Sequence, residues 1–564
     1  IINRIRINYT YESNKLMITE RSQEEFNWIL KVLRELHKSY EDNRYLSRIF
    51  EYMEKSKAAV LLSSITDSKA KITANLPDSI IEKEKWLRTR VNGFKNLVYQ
   101  ERQKKVNNRN EKKIDDWESI IFESQQEYDS LKNYIKNQYN QYYKLRMKPS
   151  VMKLEEVVSR MDEDEVILEY SILEDQVMIM TVKKEKQAFH VVELSENNLN
   201  KLINTFRNNL RVKAFANFDR KSYHQFTQAG YDLYKNLFEP VQEQTKGKDL
   251  VIIPDGKMGY IPFELFLTKS KDQFESNNMN YKKLPYLLKK RTISYAYSST
   301  LLFSEIEEKK PKKKKVLAMA PSYENISDKP IDSIFRHRQS GEILLPIPGV
   351  GKEVKNISKT FKSRIFKDTL ATEQAFKQVA PDYSVLHLAM HAIVDDTDPM
   401  YSKLVFYQDP KNTNQGLLNT YELFDLSLGA EMAVLSACNT GYGKLQRGEG
   451  IMSLARGFLY AGVPNIVMTL WPIEDESTSE IMNYFYQHLA QGAEKDEALR
   501  KAKLQFLKNT DMLNAHPHFW GSFVSIGPDT PLRNVKEQST TPYWIGGGLV
   551  LAVIIGLIFR RRIK

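Results

Sequence analysis

From residue 249 onward the chain alternates short apolar runs with helical stretches, and this alternation limits the fold more than any other feature. DLVIIPDG at 249–256 is a buried strand running into a turn, and ISYAY at 293–297 and KVLAMA at 315–320 follow it. Then come VLHLAMHA at 385–392, AVLSACNTG at 433–441 and NIVMTLW at 465–471. Helical segments intervene, 351–361 among them, and FWGSFVS at 519–525 is a late strand that closes the series. Strands alternating with helices over this span predict a mostly parallel sheet with helices on both faces.

Two of these runs end in a reactive side chain. One ends at His391 and the other at Cys438, the single cysteine in 564 residues. In an open α/β sheet, chemistry gathers at the carboxyl ends of parallel strands. Neighbouring strands ending in His391 and Cys438 set an imidazole beside a thiol. The thiolate is the reactive form of cysteine, and an adjacent histidine generates it. His391 is the candidate base, taking the Cys438 proton and later protonating a leaving amine. A tetrahedral intermediate needs N–H donors, and the backbone amides of Cys438 and Ala392 are the candidates. Gly441 and Gly443 let the backbone turn sharply after the nucleophile. A lone cysteine on an apolar strand is otherwise a small buried hydrophobe. Ser436, Asn439, Thr440 and Gly441 around it mark a strand end instead. The histidine-first separation of 47 residues suits the clan that includes caspases. His387 shares a face with His391 but lies further back along the strand, which suits a structural hydrogen bond. A zinc site from His387 and His391 lacks further ligands, so no metal and no cofactor are expected.

Upstream, residues 1–148 hold one proline, Pro77, and one glycine, Gly93. Trp117, Ile120, Ile121, Ser124, Tyr128, Leu131 and Ile135 recur at helical steps. A second helix starts near Asn75 and Pro77, and 51–65 reads as a third. An antiparallel helical array results, either a helical packing domain or the last turns of a tetratricopeptide solenoid whose earlier repeats precede Ile1; one degenerate helix pair does not by itself establish a 34-residue period. Ile1 stands where an initiating Met would, so the N-terminus is read as cut from a longer chain, any export signal with it. Residues 149–245 form a β-meander (166–170, 176–182, 188–193) followed by helix from 199 to 237, a pseudo-caspase or connecting region. Residues 246–530 form the α/β domain, and the lysine run at 309–315 within it reads as a solvated loop. Residues 531–543 are a polar linker. The apolar run 544–560 reads as a transmembrane helix and 561–564 as its basic tail, with Trp544 at one edge. Gly548, Ala552 and Gly556 share one face of that run, which permits close helix pairing. The basic tail places the catalytic domain on the outer face if an export signal precedes residue 1; a tail anchor with a cytoplasmic domain is the competing topology.

Motifs from 249 to 527 resemble one family. LSACNTG at 435–441, RGEG at 447–450, SLARGF at 453–458, AGVP at 461–464 and LWPIEDEST at 470–478 occur in family order. IPDG at 253–256, IPFE at 261–264 and the His391 strand accompany them. Together they are similar to the CHAT family, caspase-like peptidases often found behind tetratricopeptide repeats in bacteria. The resemblance implies a caspase-type α/β fold, a Cys438–His391 dyad, repeats upstream and a bacterial source. Many relatives carry glycine after the catalytic histidine, where this chain has Ala392. An alanine N–H still donates where its φ is one alanine accepts. The 470–475 stretch resembles a separase segment that carries an acid for basic substrates. Asp475 is therefore the candidate contact for a Lys or Arg at the cleavage point, with Glu449, Asp395 and Asp396 as rivals.

The leading reading is a cysteine endopeptidase, membrane-anchored and gated by a helical arm, with a protein or peptide substrate and a regulatory protein partner. A Cys-His acyltransferase or amidohydrolase is one alternative, and a non-catalytic scaffold binding partner proteins through its repeats is another. The net charge of +12 permits an acidic partner, but no nucleic-acid motif accompanies it, so no specific nucleic-acid binding is expected. A single cysteine excludes an internal disulfide framework.

Overall fold

The computed structural model describes residues 12–40, 42–146, 151–210, 219–270, 272, 279–304, 311–323, 346–395, 397–409, 416–436, 443–533 and 535. Helices at Glu12–Arg21, Gln23–Tyr40, Asn43–Lys55, Ala59–Thr73, Asp78–Arg102, Glu111–Gln138 and Asn140–Arg146 form an N-terminal arm. The expected amphipathic helix is Glu111–Gln138, with Ile114, Ser124, Tyr128 and Ile135 buried. The expected helix over 51–65 is two helices. The break falls at Ser56–Ala58, where Ala58 takes a positive φ of 43°. Lys57 at this break points inward, 2.7 Å from the buried Glu169 carboxylate. That ion pair, with neither partner solvated, is the tertiary reason the local helical pattern is interrupted.

The strands are β1 (Glu165–Ile172), β2 (Val177–Val182), β3 (Gln187–Val192), β4 (Asp249–Ile253), β5 (Ile293–Tyr295), β6 (Lys313–Ala320), β7 (Ser363–Lys367) and β8 (Tyr383–Ala389). They continue with β9 (His391–Ile393), β10 (Lys403–Val405), β11 (Leu417–Asn419), β12 (Met432–Ser436), β13 (Lys444–Gln446), β14 (Gly450–Met452), β15 (Ile466–Thr469) and β16 (Phe523–Ile526). Eleven of them form one sheet in the order β3-β2-β1-β4-β5-β16-β15-β12-β8-β6-β7. The meander β1–β3 is thus continuous with the main sheet, joined through the parallel β1–β4 ladder. The late strand β16 sits in the interior, parallel to β5 and antiparallel to β15. The sheet therefore has two halves of opposite direction: β1, β4, β5 and β16 run one way, and β15, β12, β8, β6 and β7 the other. The end of the lysine run belongs to β6, which begins at Lys313 rather than after a loop.

Period-2 alternation buries both faces of the sheet. Leu250 and Ile252 of β4 pack with the helices Glu196–Leu210 and Arg220–Leu237. Val251 and Ile253 pack on the other face with Leu46, Ile49, Phe50 and Met53 of the arm. The arm is thereby part of the core. Its Glu54 carboxylate, 1% exposed, accepts the backbone N–H groups of Ser299 (2.7 Å) and Thr300 (2.8 Å) after β5.

The segment expected to span a membrane, 544–560, lies outside the described residues. Among the described residues, no helix is long and apolar enough to cross a membrane. The two longest, Asp78–Arg102 and Glu111–Gln138, are interrupted by charged residues along their length. The C-terminal transmembrane helix is withdrawn from the fold, and with it the single-pass membrane location.

Replacing Glu54 by alanine leaves two buried amides without their acceptor, at about 1–3 kcal/mol. Hydrogen exchange at Ser299 and Thr300 should accelerate by about tenfold or more, since about 1.4 kcal/mol is a factor of ten. Unchanged exchange there would show that the arm does not stabilise this end of β5.

Candidate active site

The chain leaves β6 for β7 on one side and leaves β8 for β12 on the other, so neighbouring β6 and β8 define a topological switch point. Crevices at the carboxyl ends of such strands are where α/β sheets bind ligands. Tyr323 follows β6 into this crevice, and His391 follows β8.

His391 opens β9, the edge of a small three-stranded sheet with β10 and β11. Its ring is half-buried and lies 4.6 Å from the Tyr323 ring at an interplanar angle of 54°. The His391 N–H donates to the Tyr323 hydroxyl at 3.0 Å, and that hydroxyl donates to Val405 O at 2.7 Å. Tyr323, 1% exposed, therefore fixes both the backbone and one face of the imidazole. Sequence reading missed it; the signal was the PSY turn at 321–323, directly after a strand end.

Ala392 lies within β9, opposite Leu404, and is not among the residues of positive φ. Its backbone is one that any L-residue adopts, so glycine's freedom is not required there. His387 is fully buried on β8. Its Nδ1 is 3.1 Å from the Tyr486 hydroxyl and its Nε2 is 2.9 Å from Glu353. These two contacts make His387 a strut between the helices Val350–Thr360 and Asp475–Ala490. Cys438 and Asp396 lie outside the described residues. The ladder leading to Cys438 is described: β12 pairs parallel with β8, from Met432 opposite Val385 to Ser436 opposite Ala389.

Asp475 begins the helix Asp475–Ala490 and lines a narrow cavity of about 30 Å³ together with Glu353, Met390, Ser436, Thr469 and Thr478. Met390 adjoins His391, and Ser436 stands two residues before Cys438. Burial, then the charges of Glu353 and Glu474, push the Asp475 carboxyl up to about 6. Gly349 makes the approach possible: a Cβ there would stand 2.7 Å from Asp475 O. The Ser436 hydroxyl is buried in this wall without a hydrogen-bond partner among the described residues, which leaves it available to a ligand.

The other two candidate acids lie elsewhere, both against the arm. Glu449 is buried, is paired with Arg456 at 2.5 Å, and accepts Val60 N–H at 2.6 Å at the start of an arm helix. Asp395 accepts the Tyr99 hydroxyl at 3.0 Å and the N–H groups of Thr397 and Asp398 at 2.9 Å. Each carboxylate is engaged in holding the arm to a loop that follows one of the two candidate catalytic residues. Among the described residues no group of three or more His, Cys, Asp or Glu could hold a metal ion.

The chain is similar to tetratricopeptide repeat protein 28. The mouse protein is 29% identical over 118 residues, 21% of this chain and 5% of that protein. The human protein is 22% identical over 318 residues, 51% of this chain and 12% of that protein. The match thus spans a small part of these relatives' length, and neither supports the bacterial source that the resemblance implied. Among solved structures, the Saccharomyces cerevisiae separase in complex with securin is similar at 8% identity and a TM-score of 0.40, over 69% of this chain and 31% of that one. The Arg-specific cysteine proteinase gingipain R is similar at 11% identity and a TM-score of 0.32, over 60% of this chain and 76% of that one. The family model described as the CHAT domain matches residues 227–528, more than half of the chain. This match assigns the protein: it belongs to the CHAT domain family.

Proposed function

We propose that the chain is a cysteine endopeptidase in which Cys438 is the nucleophile and His391 the general base, with the helical arm controlling the site. One observation carries the reading. The β8–β12 ladder pairs residues 47 apart, Ser436 with Ala389, and 47 is also the separation of Cys438 from His391. Strands in this register favour a thiol beside an imidazole at the same end of the sheet.

In this mechanism His391 takes the Cys438 thiol proton, and the thiolate attacks the scissile carbonyl carbon. The backbone N–H groups of Ala392 and Cys438 stabilise the oxyanion. The tetrahedral intermediate collapses to a thioester as His391 protonates the departing amine. Water, deprotonated by His391, then attacks the thioester, and the acid product leaves as the thiol regains its proton. Tyr323 is a positioning residue that holds the imidazole during both transfers. Asp475 and Glu353 make the adjacent slot acidic, and the Ser436 hydroxyl adds a hydrogen-bonding group, so the slot suits the cationic end of a Lys or Arg side chain. Asp395 and Glu449 link the loops after His391 and Cys438 to the arm, which supports control of the site by a protein bound to that arm.

Mapping of new protein N-termini should find ends that depend on Cys438, absent with Cys438→Ala. No such ends under any activating partner would favour the scaffold reading. His391→Ala should lower kcat/KM by about 10²- to 10⁴-fold, the usual worth of a general base. Tyr323→Phe keeps the ring but removes the hydroxyl; kcat should fall by about tenfold with KM little changed, the scale of one hydrogen bond of about 1.4 kcal/mol. A loss confined to KM would contradict its positioning role.

With the Asp475 carboxyl at about 6, the slot is less negative below that pH and gains a charge above it. The preference for Arg over an uncharged residue at the cleavage point should therefore rise as pH increases from about 5 to 7. Asp475→Asn should flatten that rise, and Asp475→Arg should abolish cleavage after basic residues. A preference unchanged in a peptide library would remove Asp475 from the specificity site.

A further inference from the structure

A second cavity, of about 160 Å³, lies between the arm and the catalytic domain and is lined by neither His391 nor Asp475. Its walls carry five cations, Lys15, Arg88, Lys95, Lys132 and Arg146, against three carboxylates, Asp67, Glu84 and Asp398. The neighbours of these groups are also charged. Arg146 Nε lies 2.9 Å from Asp67. Lys71 lies 2.8 Å from Asp67 and 2.9 Å from Glu84. Arg88 is bound to Asp425. Counting Lys71 and Asp425 with the wall, six basic side chains meet four carboxylates. The remaining wall is aromatic, with Tyr128, Tyr401, Tyr421 and the stacked pair Phe424–Tyr460, whose rings are 4.1 Å apart.

Surplus charge in a partly desolvated site is costly. Burial, with Arg146 and Lys15 adding like charge, lowers Lys132 to about 7, and burial likewise lowers Lys95. Lys132 lies over the Tyr128 ring at 4.6 Å, facing the same space. A phosphate monoester carries a charge of about −1.5 to −2 near neutral pH, and one bound here would favour the charged form of Lys132. The volume is close to the roughly 150 Å³ that admits a single small ring.

We propose that this cavity binds a small phosphate-bearing anion, held by Lys132 and Lys95 beside the aromatic wall. The ligand would bridge the arm to Tyr401, on the loop that follows His391, and so act as an effector of the domain beneath it.

The test uses the full chain carrying Cys438→Ala, so it is independent of peptidase activity. Inorganic phosphate, pyrophosphate and adenosine monophosphate are each titrated calorimetrically at low ionic strength, with adenosine as the uncharged control. The expected result is saturable 1:1 binding of at least one of the three anions and none of adenosine. Lys132→Gln and Lys95→Gln should each weaken that binding by about tenfold or more while the circular dichroism spectrum is retained. A bound anion should also raise the thermal midpoint of the parent chain and not that of the variants. Absence of saturable binding by all three anions, or equal affinity in the parent and both folded variants, overturns the proposal. If peptidase activity were absent while anion binding followed this pattern, the catalytic reading would fail and this one would stand.

Discussion

The parallel pairing of β8 with β12 is the constraint on which the rest depends. Both strands are buried along their whole length at the centre of one half of an eleven-stranded sheet. The ladder places Ser436 opposite Ala389. That register sets where each chain leaves the sheet. His391 begins two residues beyond Ala389, in a new strand held to β10 and under the Tyr323 ring. The β6–β8 switch point supplies the crevice, and the helices Val350–Thr360 and Asp475–Ala490 supply its acidic wall.

The arm is built into this arrangement rather than appended to it. Its helix Asn43–Lys55 covers one face of the first half-sheet, and the break at Ser56–Ala58 inserts Lys57 against Glu169 of β1. Further out, Glu449, Asp395 and Asp425 each reach an arm helix from loops of the catalytic domain. These are short polar contacts with one or both partners buried, so they are geometrically demanding and individually modest in energy. Interfaces of that kind shift as units when a partner binds one side.

Much of this was legible from the sequence because apolar periodicity and strand-end chemistry are local. The strands at 249–253, 383–389, 432–436 and 466–469 follow from unbroken apolar runs, and His391 from its place after one of them. The long-range features were not legible. Nothing near residue 520 says that β16 lies between β5 and β15, because strand order is set by which faces bury together. The helix expected over 51–65 is broken by a partner 112 residues away. Glu353 and the Gly349 contact belong to the site through tertiary approach alone. Glu449 and Asp395, named as rivals of Asp475, each also reach an arm residue, Val60 and Tyr99, that no local pattern pointed to.

The most direct measurement of the central claim is the pH dependence of Cys438 alkylation by iodoacetamide, which a single-cysteine chain makes unambiguous. If His391 and Cys438 form a pair, the native protein should alkylate with a midpoint well below the free-thiol value of about 8.5, and His391→Ala should move that midpoint up towards it. A midpoint near 8.5 in both proteins would contradict the pairing, and with it the catalytic reading of the site.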